Sequence, residues 1–216
     1  YNLDEDIRVK SSSGGIFTIL ASEIIKDDGV VFGAKFDKDF NVVHDYVEDI
    51  DGLSKFRGSK YVQSNIGDSF RQAKTFLDDG RKVLFSGTPC QIGGLKSYLN
   101  KDYENLVTVD LICHGVPSPM IWQRYINELG DGKKLSAMTF RDKSKGWNSG
   151  VLKYRFEDGS EIDENYSESV YIKGFIQNCF LRPSCYNCSF KTLDRVSDFT
   201  LGDFWGVESI LPKLKD

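Results

Sequence analysis

Five cysteines, Cys90, Cys113, Cys179, Cys185 and Cys188, offer the most distinctive chemistry in this 216-residue chain. Cys185 and Cys188 form a C-x-x-C pair behind Arg182-Pro183. That spacing lets two thiolates close on one metal ion or on one face of an iron–sulfur cluster. Cys90 stands in Gly87-Thr88-Pro89-Cys90-Gln91, directly after the apolar run Val83-Leu84-Phe85 and at the start of a helical pattern. Free amides and the helix macrodipole favour a thiolate there. Cys113, in Ile112-Cys113-His114-Gly115, closes the next apolar run. Adjacent parallel strands joined by right-handed crossovers bring their carboxyl ends to one edge of a sheet, so Cys90 and Cys113 are expected to be neighbours. Four thiolates from two strand ends and one loop could then enclose a 4Fe-4S cluster. Cys179, beside Phe175, Ile176 and Phe180, is read as core packing.

Other chemistries compete for the same residues. Free cysteine is among the most buried residue types, so Cys90 and Cys113 could simply fill the core. A structural zinc site usually needs two short-spaced pairs, and the sequence has one. Cys90 as nucleophile with His114 as base would make a cysteine hydrolase or transferase. A non-catalytic zinc or partner-docking module is a further reading. Pro183-Ser184-Cys185 resembles a nucleobase deaminase only superficially, since no H-x-E partner occurs. His114 could donate a proton, whereas His44, in an alternating run, is expected at the surface.

Two segments could hold an anion. Ser11-Ser12-Ser13-Gly14-Gly15 places hydroxyls and unhindered amides at a helix start. Arg57-Gly58-Ser59-Lys60-Tyr61-Val62-Gln63-Ser64 adds two cations, hydroxyls, an amide and an aromatic ring. Together they suit a ligand with a pyrophosphate and a flat ring, although each alone also reads as an ordinary helix start. No G-x-G-x-x-G follows a strand pattern and no P-loop occurs. Gly202-Asp203-Phe204-Trp205-Gly206 could line a pocket or form a packed turn.

The elements that must position these residues are legible in the apolar spacing. Ile16, Leu20 and Ile24 mark a helix with a serine N-cap, stopped near Gly29. Residues 30–36 and 42–47 read as a strand pair across Asp37-Lys38-Asp39, and a helix from Ile66 to about Asp79 stops at Gly80. Strand 83–85, helix 91–99, strand 107–112 and helix 120–128 alternate, which favours parallel pairing with helical crossovers. Beyond residue 130, segments 137–140, 151–156 and 161 onward read as an antiparallel addition. A helix over about 167–180, the cysteine loop and a short strand at 199–201 complete the pattern. The predicted fold is α/β: a mixed sheet with a parallel core and helical crossovers plus a small antiparallel extension, in one unit over 1–216.

Composition narrows the function classes. The chain has 28 Lys plus Arg against 32 Asp plus Glu, a formal net charge of −4, which argues against a general nucleic-acid or anionic-membrane binder. No apolar run approaches the roughly 20 residues a membrane helix needs, and a cytoplasmic location is expected. An odd cysteine count in a chain with no secretory signal favours metal or redox chemistry over disulfides.

Seven motifs occur in order: Ser12-Ser13-Gly14-Gly15, Gly58 to Ser64, Leu84 to Gln91, Ile112 to Ser118, Arg141-Asp142-Lys143 with Gly146-Trp147, Cys185 to Cys188, and Gly202 to Gly206. In this series the chain resembles the beta subunit of the coenzyme F420 (deazaflavin) hydrogenases and dehydrogenases. The resemblance implies an iron–sulfur flavoprotein oxidoreductase that passes electrons between a 4Fe-4S cluster and FAD, and onward to an organic acceptor such as the deazaflavin coenzyme. It suggests Cys90, Cys113, Cys185 and Cys188 as cluster ligands. Ser12, Ser13, Gly14, Gly15, Arg57, Gly58, Ser59, Lys60, Tyr61, Gln63, Ser64 and Thr88 would contact FAD, with Arg57 and Lys60 offsetting phosphate charge. His114 and Lys60 would serve in catalysis, and Tyr61 or Trp205 could flank the ring. A ferredoxin, separate or fused, is the implied electron donor. Many family members carry a ferredoxin segment upstream, so this chain is expected to be part of a longer protein.

Overall fold

The computed structural model describes residues 1–144, 146 and 150–211; Trp147, in the fifth motif, lies outside the described residues. The chain runs α1 (Glu5–Lys10), α2 (Ile16–Lys26), β1 (Val30–Phe36), β2 (Val42–Val47), a 3-10 turn (Asp51–Phe56), α3 (Ser69–Asp78), β3 (Val83–Ser86) and α4 (Pro89–Leu99). It continues through β4 (Leu106–Leu111), α5 (Pro119–Gly130), β5 (Leu135–Asp142), β6 (Val151–Phe156), β7 (Glu161–Asn165), α6 (Val170–Ile176), a 3-10 turn (Pro183–Cys185), β8 (Phe199–Leu201) and α7 (Val207–Ile210).

Five strands form one sheet in the order β2-β1-β3-β4-β8. β1 pairs with β3, β3 with β4 and β4 with β8 in parallel, while β2 turns back antiparallel on β1. The alternation of a strand sorts the core onto two faces. Val31, Leu84 and Val109 meet Ala21 of α2 on one side. Val30, Phe32, Val83 and Phe85 meet Ala73, Leu77, Ile92 and Leu95 of α3 and α4 on the other, with Phe32 and Phe85 stacked at 5.3 Å. The mixed sheet and parallel core thus agree with the sequence expectation.

β5, β6 and β7 form a separate antiparallel sheet, which is the expected extension. Phe140, Leu152, Tyr154 and Phe156 pack with Trp122 and Tyr171 over it. The Trp122 indole N–H donates to the Phe40 carbonyl at 2.8 Å, anchoring this cluster to the β1–β2 turn.

Several local expectations are corrected. Helix α2 is capped by Gly15 in the left-handed region (φ 75°) with no side-chain cap, because Ser11 donates back to the Ile7 carbonyl and Ser12 accepts from Ser59. Helix α6 is shorter than the apolar pattern suggests. Ser169 caps its start by accepting from the Ile172 amide, and Asn178 at φ 63° turns the chain away two residues past its end. Cys179 is consequently exposed, not core packing. His44 is 8% exposed, not a surface residue, since its ring stacks on Phe85. No helix among the described residues is long and apolar enough to cross a membrane.

Candidate functional site

The carboxyl edge of the parallel strands carries Cys90, after β3, and Cys113, after β4, the edge at which open α/β sheets dispose their ligand sites. Cys90 occupies the second position of α4, whose first turn is built by Pro89 after the N-cap Thr88. The Gln91 side chain accepts from the Thr88 amide at 2.9 Å and donates to Ser64 at 2.8 Å. That pair ties the cysteine-bearing helix start to the Arg57–Ser64 loop. The Thr88 hydroxyl lies 3.2 Å from the Cys90 sulfur.

Cys113 stands two residues past β4. The chain after it is pinned to the cysteine loop by backbone bonds: Arg182 donates to Val116 at 2.9 Å and Ser118 to Phe180 at 3.0 Å, around a Pro117–Leu181 bridge. The other flank of the loop is held by Phe190, whose ring occupies the space that a Cβ on Gly93 of α4 would need. Cys90, Cys113, Cys185 and Cys188 therefore line one cavity of about 390 Å³. Burial pushes the Cys113 thiol up to about 11, and charge on Cys90, Cys185 and Cys188 would push the same way, which puts all four sulfurs within electrostatic reach.

Among the described residues, no three His, Cys, Asp or Glu side chains gather tightly enough to hold a single metal ion. Zinc needs sulfurs at about 2.3 Å from one centre. The donor set, four cysteines with no competing carboxylate on that wall, is the one a 4Fe-4S cluster takes.

A larger cavity of about 510 Å³ adjoins the first. Residues 112–116 line both, so Cys113 and His114 face the two spaces at once. His114 is steadied edge-on against Phe175 at 5.0 Å. Gly58, Ser59, Lys60, Tyr61, Ser64 and Thr88, six of the positions expected to hold a flavin, line this second cavity. Its size and apolar walls are those of a ligand site.

A third cavity, of about 470 Å³, meets the second at Gly58, Ser59 and Lys60 and is lined by Lys10, Lys35, Lys55 and Arg57 as well. Lys35 is paired with Asp45, and Arg57 donates to Thr18 at 3.1 Å. The Lys60 ammonium sits beneath the loop and donates to the carbonyls of Phe56, Arg57 and Gly58 at 3.3, 3.0 and 3.0 Å. Burial lowers it to about 8.

The remaining expected positions are not in these walls. Ser12, Ser13, Gly14 and Gly15 line none of the three cavities. Tyr1 and Asn2 pack against Gly14 and Gly15, and Ser12 receives the Ser59 amide, so this segment buttresses the Gly58–Lys60 loop. Gln63 donates its backbone N–H to Pro117 at 2.9 Å, linking the loop to the Cys113 segment. Trp205 is 63% exposed under the Arg141 guanidinium, outside the cavities. Arg141 also pairs with Asp203 at 2.6 Å, and Lys143 donates to the Arg8 and Ser13 carbonyls at 3.1 Å. Those motifs act as braces between distant segments.

Sequence reasoning missed two residues of the large cavity, His44 and Asp110. His44 bonds through Nε2 to the Ser86 carbonyl at 3.0 Å. A carbonyl only accepts, so Nε2 carries the proton and Nδ1 is a buried acceptor with no partner among the described residues. Burial lowers His44 from 6.5 to about 4, the Ser86 carbonyl opposing and Lys60 assisting. The folded chain then binds fewer protons than the unfolded chain between those values. Stability from this group is complete above pH 6.5 and is lost as the pH falls through about 4, by on the order of 3 kcal/mol. His44→Gln should flatten that part of the pH profile in urea titrations at pH 7 and pH 4.5; an unchanged difference would refute the assignment.

Comparison with known proteins supplies the context. Residues 80–213 match the family described as the C-terminal part of the coenzyme F420 hydrogenase/dehydrogenase beta subunit. The fold resembles a chain of the F420-reducing NiFe hydrogenase complex from Methanosarcina barkeri, solved as a xenon derivative, with TM-score 0.54 and 20% identity. The match covers 86% of this chain and 62% of that one. No curated protein matches.

Proposed function

The chain belongs to the coenzyme F420 hydrogenase/dehydrogenase beta-subunit family, and from that premise we propose that it is the flavin-bearing oxidoreductase unit of an electron-transfer protein. In this reading Cys90, Cys113, Cys185 and Cys188 hold a 4Fe-4S cluster, and FAD lies across the large apolar cavity and the cationic one. The observation that carries it is the shared wall: residues 112–116 and Thr88 line both the cysteine cavity and the larger, apolar one. When bound, a cluster supplies single electrons and a flavin converts them to hydride for an organic acceptor, the deazaflavin coenzyme or a related molecule.

The chain's own residues do the positioning. Lys10, Lys55, Arg57 and Lys60 supply positive charge at the end where a pyrophosphate would sit. Tyr61, stacked on Phe175 at 5.3 Å, forms part of the apolar wall and excludes water from the ring. His114 faces the same space and can hold or release a proton at an imidazole nitrogen. Lys60, with its ammonium committed to three carbonyls, shapes the loop and lends charge. A ferredoxin, free or fused, would dock over the cysteine loop, where Tyr186 and Leu193 are exposed.

Anaerobic purification followed by iron, acid-labile sulfide and flavin analysis tests the proposal. Both iron with sulfide and bound FAD are expected; a colourless protein that takes up neither on reconstitution would end it.

A further inference from the structure

Asp110, the second-to-last residue of β4, is the one buried acid among the described residues. Both carboxylate oxygens are sealed from solvent and accept no hydrogen bond there, so a ligand lying in a cavity does not reach them. What faces the carboxylate is Arg195, whose guanidinium lies 3.9 Å away. That distance is within ion-pair range and beyond hydrogen-bond range. A buried ion pair is weak evidence for stability, because desolvation of the two charges offsets most of their attraction. A role other than holding the fold together therefore has to account for it.

Placement supplies that role. Arg195 lines the cysteine cavity together with Cys90, Cys113, Cys185 and Cys188, and Asp110 does not. The chain on either side of Arg195 is fixed by other contacts. Phe190 packs on Gly93, and Asp198 accepts from the Thr108 amide and hydroxyl, each at 2.7 Å. The guanidinium itself makes no hydrogen bond among the described residues, and its side chain is only 19% exposed. Lys191, the other cation of that wall, is exposed, so water screens its charge. Reduction adds one negative charge to a centre already held by four thiolates, and a poorly screened cation beside it favours that step. We propose that Arg195, held in the cavity wall by Asp110, raises the reduction potential of the 4Fe-4S cluster bound there. This inference rests on the cluster reading of the four cysteines.

The test is a potentiometric titration with dithionite of the anaerobically reconstituted full chain, followed by electron paramagnetic resonance of the reduced cluster, which separates it from any flavin. Arg195→Gln is expected to disfavour reduction by about tenfold, a potential about 59 mV more negative for one electron. Asp110→Asn removes the opposing charge and should move the potential the other way. A merely structural role for Arg195 has the opposite sign. Loosening the loop admits water, which stabilises the more highly charged reduced cluster and raises its potential. Should Arg195→Gln fail to fold, the double variant with Asp110→Asn decides, since it leaves no buried charge unpaired. Its potential should still lie below the parent's, because the arginine and not the aspartate lines the cavity. A potential at or above the parent's in Arg195→Gln, or in the double variant, would overturn the proposal and leave the cluster reading intact. A parent protein that takes up neither iron nor sulfide would overturn both.

Discussion

Cys185→Ser should strip the protein of iron and acid-labile sulfide and leave its fold standing. Cys185 is in the 3-10 turn of the cysteine loop and belongs to none of the three buried clusters that hold the sheets together. The loop is held independently of its sulfurs, by Arg182 on Val116 and by Phe190 against Gly93. Removing one thiol therefore takes away a ligand without removing the scaffold. A cluster needs all four ligands in its commonest form, so iron after anaerobic reconstitution should fall from about four per chain to near zero. Circular dichroism and the urea midpoint should change little. Cys179→Ser is the control: its sulfur is exposed outside the cavity and its loss should leave iron content unchanged. A cysteine hydrolase built on Cys90 and His114 makes the opposite forecast, with Cys185 dispensable and Cys90 alone essential. Full iron content in Cys185→Ser would refute the four-cysteine assignment.

How far the sequence reached depends on the range of the interaction that decides each feature. The Val31/Phe32 and Leu84/Phe85 alternation is local, and it marks both faces of the parallel sheet in the sequence itself. The convergence of Cys90 with Cys113 was also legible, because parallel strand order alone brings their ends together. Cys179 failed for a physical reason. The Phe175-Ile176 pattern suggests that the helix runs on, but Asn178 takes a left-handed conformation and turns the next side chain outward. A tight reversal two residues beyond the helix overrides apolar periodicity. His44 failed because alternation predicts a half-exposed strand face. The ring is covered by contact with Phe85 and Ser86, about forty residues later, which no local pattern encodes. The Ser12–Gly15 segment carried the composition of an anion site, and the structure places it behind the loop instead of in a cavity wall. Asp110 gave no signal at all: an acid at the end of an apolar strand looks like a boundary until its burial is seen.

The same distinction between touching a ligand and shaping its site governs Lys60. Its ammonium lies beneath the Gly58–Lys60 turn, with bonds to three successive carbonyls that have no helix or strand to satisfy them. Lys60→Met would keep the stem and leave those carbonyls without their donor, at a cost of about 1–3 kcal/mol for a buried group so orphaned. It would also remove the cation at the junction of the apolar and cationic cavities. FAD affinity should fall by about a hundredfold or more, since loop geometry and charge are lost together. Lys60→Arg should not rescue it, because a planar guanidinium cannot aim at three carbonyls converging on one point. The pH dependence has a definite sign. Burial already lowers Lys60 to about 8, and an anionic ligand nearby favours the ammonium, so binding raises that value. Affinity should be flat below pH 8 and decline above it, by at most about tenfold per pH unit, until the bound-state value is passed. Fluorescence titrations of FAD between pH 7 and pH 10 would measure this directly. In Lys60→Met the decline should vanish, and an identical decline in the variant would assign the titration to another group.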